Sequence, residues 1–133
     1  MFEAPFNVWA VIVATVANMV IAWLWYGPLF GKKWMELTGV SPGSGRSMGT
    51  AMSLAVISSL LTAYFLARII GEFGATSIGS AISIAFWIWL GFIVTWELNK
   101  VAFENRSMKL VFINTGAQLV WFLVAAIIFG VWV

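Results

Sequence analysis

Apolar and polar positions divide this chain into blocks. Four stretches without a charged residue, 4–31, 47–67, 73–96 and 110–133, run for 28, 21, 24 and 24 residues. A bilayer core takes about 20 consecutive apolar residues of helix, so each stretch is long enough to cross. Inside them there is no alternation of the kind a strand needs, and runs such as 81–96 are apolar on every face. That argues against a transmembrane barrel and for helices, which satisfy their own backbone groups in lipid. The pattern predicts spans at 6–26, 49–70, 76–96 and 110–131. The expected fold is an all-α, four-helix integral membrane bundle forming a single domain over 1–133, with one longer connection at 27–48.

Composition agrees, with 62% apolar and 9% charged residues against about 45–50% and 25% in soluble domains. No room is left for a separate soluble domain, because the residues outside the spans are split among three connections and a short tip. The first span is expected to remain as a helix rather than be cleaved as a signal. Its leading residues carry Glu3 instead of basic side chains, and its apolar stretch exceeds the 7–15 residues of a signal core.

Orientation follows from the basic residues. Lys32, Lys33, Arg46, Lys100, Arg106 and Lys109 fall in the first and third connections, and Arg68 alone on the opposite side. By the positive-inside rule those two connections are expected in the cytoplasm, with both termini outside or periplasmic and the protein in the cell's inner membrane. Tryptophan supports the span edges: Trp9 and Trp132 fall near one interface, and Trp23, Trp25, Trp34 and Trp96 near the other. Trp87, Trp89 and Trp121 lie deeper, where each indole needs a partner or a place against lipid.

The first connection opens with Trp25-Tyr26-Gly27-Pro28-Leu29-Phe30-Gly31-Lys32-Lys33-Trp34-Met35. Gly27 frees the backbone and Pro28 lacks an N–H, so the span is expected to stop there and a short helix to begin at Pro28. Phe30, Trp34 and Leu37 then recur at i, i+4 and i+7, with Lys32, Lys33 and Glu36 around them, the pattern of an amphipathic helix on the membrane surface. It can serve as an interfacial anchor alone or as a lipid-headgroup or partner site. Ser41-Pro42-Gly43-Ser44-Gly45 reads as a flexible linker. Ser47 and Ser107 are placed to cap the second and fourth spans.

These residues carry a resemblance. The Trp25–Met35 run, Phe103-Glu104-Asn105-Arg106-Ser107 and Ile113-Asn114-Thr115-Gly116 together resemble a prokaryotic membrane-protein family catalogued as domain of unknown function 1761, over nearly the whole chain. The resemblance implies a compact four-helix membrane protein and brings no established activity. Gln118 stands where an aromatic or His is expected in that family. Two other four-helix designs do not fit: small multidrug exporters need an embedded Glu in their first helix, where this chain has Asn18, and the Gly-x-Thr-Thr-Phe-Ser signature of fluoride channels is missing.

Helix faces supply the remaining candidates. Ala51, Ala55, Ser59, Ala63 and Ala67 place a small residue at every fourth position of the second span, and Ala10, Ala14, Asn18 and Ala22 do so in the first. Such stripes let helices approach closely, either within the chain or between copies. Counting inward from the span ends, Asn18, Ser58 and Gln118 share one depth, about 12–14 Å in at 1.5 Å per residue, and Thr15, Ser59, Thr62 and Asn114 extend the set by about a turn on either side. This polar layer reads either as interhelical hydrogen bonding or as the lining of a path for a small solute. Glu97, at the inner mouth of the third span, is placed to pair with Lys100 at i+3.

The chemistry is bounded by absences. With no His, Cys or Asp there is no metal site of usual ligation, no thiol nucleophile and no Ser-His-Asp triad. No catalytic residue, metal or cofactor is expected, and the protein is not expected to be an enzyme. A net charge of +2 gives no basis for nucleic-acid binding. The expected partners are the lipid bilayer, a second copy of the chain and another membrane protein. An accessory or structural membrane protein, alone or as a homo-oligomer, is the leading reading, and a homo-oligomeric channel or transporter for a small solute is the alternative.

Overall fold

The computed structural model describes residues 4–39, 47–75 and 77–132. Glu3, the 41–45 linker, Arg46 and Thr76 lie outside them. All regular structure among the described residues is helical: α1 Val8–Leu24, α2 Gly31–Thr38, α3 Met48–Glu72, α4 Ile78–Ile88, α5 Thr95–Glu104 and α6 Met108–Val131. A π-helical turn, Trp25–Leu29, extends α1, and a second, Trp89–Val94, joins α4 to α5. The result is four long apolar rods, Val8–Leu29, Met48–Glu72, Ile78–Glu104 and Met108–Val131, each long and apolar enough to span a membrane.

Each rod starts where a polar side chain takes up the free amides of its first turn. Asn7 Oδ1 accepts from the Trp9 and Ala10 amides, Ser47 Oγ from Thr50 and Ser107 Oγ from Lys109, while Ser77 and Ser80 form a reciprocal capping box. The two expected serine caps are therefore in place. The third rod, at 27 residues, is about 40 Å long and outruns a 30 Å hydrocarbon core. It can fit such a core only by tilting or by projecting at one end.

Successive rods run antiparallel, as cross-contacts show. Asn18 meets Ser59 and Ala4 meets Glu72 between α1 and α3; Ala14 meets Trp121 and Trp25 meets Ile113 between α1 and α6. Trp89 meets Thr115, and Gly130 lies against Ile78, between the third rod and α6. The termini and the second connection thus share one end of the bundle, the terminal end, and the first and third connections share the other, the connection end. α6 is the central helix, with 44% of its span buried against 22, 28 and 11% for the other three in chain order. Around it Ala10, Ala14, Ala63, Ala81, Ala85, Ala125 and Ala126 are buried to within 1% exposure, and Trp121 and Phe122 fill the space between them.

Two expectations need correction. The stripe on α3 is not used over its whole length: Ser59, Ala63 and Ala67 are buried, Ala55 is half-buried and Ala51 is exposed. Toward the connection end α1 leans on α6 through Trp25 and Tyr26, so the first part of α3 has no helix to meet there. The surface helix begins at Gly31, not Pro28. A proline within an α-helix leaves one carbonyl without a donor and crowds the preceding turn. Here the chain widens to a π-turn that contains Pro28, closed by the Phe30 amide on the Trp25 carbonyl at 2.8 Å, and breaks only at Phe30 (φ −124°, ψ 9°).

Candidate functional site

The Trp25–Leu29 turn decides where the connection-end side chains go. The wide turn brings the Tyr26 carbonyl against Gly31, where an added Cβ would lie 2.6 Å from the oxygen, so the chain can reverse there only on a residue without a side chain. Gly27, by contrast, has no atom beyond its chain neighbours within 4 Å of an added Cβ. With the turn so set, Trp25 and Tyr26 both face α6. The Trp25 indole donates to the Ile113 carbonyl at 2.8 Å, and its ring lies so close to Gly116 that a Cβ there would be 3.0 Å from Cζ2. The Tyr26 hydroxyl donates to Asn114 Oδ1 at 2.8 Å. Trp34, one turn into α2, meets the Tyr26 ring edge-on at 5.8 Å.

The other wall comes from the third connection. α5 ends on Asn105 in the left-handed conformation (φ 53°, ψ 38°), which Asn tolerates better than most residues, and the Arg106 amide reaches back to the Lys100 carbonyl at 3.4 Å. Ser107 then starts α6. This reversal sets Glu104 and Arg106 side by side, Oε1 to Nη2 3.6 Å.

Between the walls is a cavity of 630 Å³ lined by Tyr26, Trp34, Leu37, Thr38, Glu104, Asn105, Arg106, Ser107, Leu110 and Asn114. Three separate sequence motifs contribute, one from each of the stretches 25–35, 103–107 and 113–116. Lys32 and Lys33 lie on α2 outside the lining, and Lys33 faces Glu36 at 3.7 Å. Glu97 and Lys100 are also outside it, on α5, where they form an ion pair at 3.0 Å with side chains 15 and 26% exposed. The second Glu97 oxygen, Oε2, is buried without a hydrogen-bond partner among the described residues.

The mid-span polar residues are organised differently. Asn18 Nδ2 donates to Ser59 Oγ at 2.6 Å. Ser58, expected in this layer, points outward and is exposed. One residue of helix turns the side chain by about 100°, and the buried direction is that of the Ser59–Ala63–Ala67 stripe. Gln118 is half-buried near the level of Asn18, since the register that pairs Ala14 with Trp121 brings 118 opposite 17. The indoles turn to the backbone instead. Trp89 donates to the Thr115 carbonyl at 2.8 Å and Trp121 to that of Ala14 at 2.9 Å, while Trp87 is 63% exposed on the outer face. Thr15 and Thr115 return their hydroxyls to carbonyls four residues back.

Leu37, Thr38 and Leu110 were not legible as site residues, and Asn105, Arg106 and Ser107 read only as a motif and a cap. What could have flagged them is the Phe103–Ser107 motif itself, whose Asn-Arg-Ser is a left-handed cap, a cation and a helix start in succession. No curated protein and no solved structure matches this sequence. A family model does, over residues 9–130, a span that takes in all three motifs around the cavity. The chain belongs to the family described as protein of unknown function, DUF1761.

Proposed function

We propose that this chain is a non-catalytic accessory or structural protein of the inner membrane, with both termini outside and the connection end in the cytoplasm. The observation that carries the reading is how the polar groups of the spans are used. Asn18 is bonded to Ser59, two deep indoles to backbone carbonyls, and the two buried threonines to their own helices. Alanines and the Trp121 and Phe122 rings fill the bundle axis. Polar side chains arranged this way stabilise contacts between helices, each by about 0.6 kcal/mol and up to about 1.7. Among the described residues these bonded groups are not free to replace a solute's hydration shell; the half-buried Gln118 amide, which makes no such bond, stands apart from them. The excess of Lys and Arg in the first and third connections supports the orientation.

A channel or transporter built from this chain would need its path between copies, because the centre of each copy is packed. The open face of α3 around Ala51 and Ala55 is where a second chain could approach closely. Native co-purification with lipids retained, followed by mass measurement, separates the two. The accessory reading expects a defined complex with another membrane protein. A homo-oligomer as the sole species that also carries a small solute across liposomes would favour the path between copies and refute it.

A further inference from the structure

The connection-end cavity is polar on one wall and aromatic on the other, and that asymmetry selects a ligand. We propose that it binds a phosphodiester bearing a primary ammonium, supplied as the headgroup of a phosphatidylethanolamine-type lipid. Arg106 stands at the first turn of the 24-residue α6, where the helix dipole adds to the cation in favouring phosphate; Ser107 Oγ accepts from the Lys109 amide and keeps its hydroxyl hydrogen to donate. Asn114 spends its carbonyl oxygen on Tyr26, so its amide N–H groups are the part left for a ligand in the lining.

Glu104 is what distinguishes a zwitterion from a plain anion. Its carboxylate lies 3.6 Å from the Arg106 guanidinium on the same rim. Such a pair, half-exposed and longer than a good hydrogen bond, is weak on its own. It offers acceptor and donor side by side, which matches an ammonium and a phosphate joined by two carbons. The edge-on Tyr26 and Trp34 rings provide the aromatic surface on which an ammonium is held. An anionic headgroup would meet the Glu104 charge with no cation of its own to offset it.

Position favours a lipid over a soluble molecule. The cavity opens where the first rod and α6 reach the end of their apolar spans, beside the amphipathic α2, and Leu37 and Leu110 continue its lining toward the apolar layer. Headgroup atoms would sit among Glu104, Arg106 and Asn114, with the glycerol end toward the leucines.

Delipidated full-length protein in detergent, titrated with single lipids and read by native mass spectrometry, tests this. Wild type should bind one phosphatidylethanolamine with about tenfold preference over phosphatidylglycerol, the factor given by 1.4 kcal/mol. Glu104→Gln should lose that preference while still binding phosphatidylglycerol, and Arg106→Gln should lose both lipids. Both side chains are at the rim, and helix content by circular dichroism verifies that the variants are folded. Equal wild-type occupancy by the two lipids, or unchanged preference in folded Glu104→Gln, would overturn the proposal. So would displacement of the lipid by free phosphoethanolamine at comparable concentration, which would make the ligand a soluble one.

Discussion

Replacing Gly31 with alanine should destabilise the protein far more than the same change at Gly27, although the two glycines are four residues apart in one motif. At Gly31 the new methyl would lie 2.6 Å from the Tyr26 carbonyl oxygen and 3.2 Å from its carbon. Both contacts are with backbone, so no side chain can rotate away. The π-turn must open or α2 must shift, at a cost in the range of about 1–3 kcal/mol typical of overpacked sites. At Gly27 no atom beyond the chain neighbours lies within 4 Å of the new one and φ is ordinary, but Pro28 follows, and its Cδ crowds a Cβ on the preceding residue of a helical segment. That crowding offsets the gain of about 0.5–1 kcal/mol in helix propensity, so alanine there should change stability little. The expected separation is therefore about 1–3 kcal/mol, readable as unfolding midpoints in mixed detergent. The shift at Gly31 should also loosen the Tyr26–Asn114 bond, so that Tyr26→Phe costs less in the Gly31→Ala background than in wild type. Equal effects of the two alanines would refute the argument that the turn's geometry rests on Gly31.

Three further outcomes follow from the same packing. Ala63→Ile, at a fully buried contact of α3 with the bundle, should destabilise by about 1–3 kcal/mol, whereas Leu60→Ile, at a position 43% exposed, should stay within about 0.5 kcal/mol by the same unfolding assay; Ala51→Ile should behave like the second. Asn18→Leu should yield folded protein less stable by about 0.6–1.7 kcal/mol, and Ser58→Ala should change nothing, because Ser59 holds the bond. With single cysteines in intact cells, an impermeant thiol reagent should label Phe73→Cys at the terminal end and spare Phe103→Cys at the connection end; reversed labelling would invert the proposed orientation.

The rods were legible because apolar length is a property of composition, and the serine caps because their role is local. Asn18 and Gln118 fall near one level of the bundle, since height along a helix is residue number times rise. Which of Ser58 and Ser59 meets Asn18 was not legible, because azimuth depends on which stripe of small residues a neighbour occupies. The π-turn at Trp25–Leu29 was missed: Pro28 announces a break, but whether the chain stops or widens depends on Gly31 and on the pull of Ile113 and Asn114 on Trp25 and Tyr26. The acceptors of Trp25, Trp89 and Trp121 are backbone carbonyls, which every residue possesses, so no spacing of side chains could reveal them. The cavity needs stretches about 80 residues apart to meet, and that meeting is a tertiary fact.

Flux through purified protein in liposomes tests most directly whether the polar groups of the spans are spent on packing. Water, monovalent ions and small neutral solutes should each cross wild-type proteoliposomes no faster than empty liposomes of the same lipid, and Asn18→Leu and Gln118→Leu should leave that baseline unchanged. Flux above baseline in wild type that collapses in folded Asn18→Leu or Gln118→Leu, with oligomeric state and abundance preserved, would contradict the account and make those amides the lining of a path.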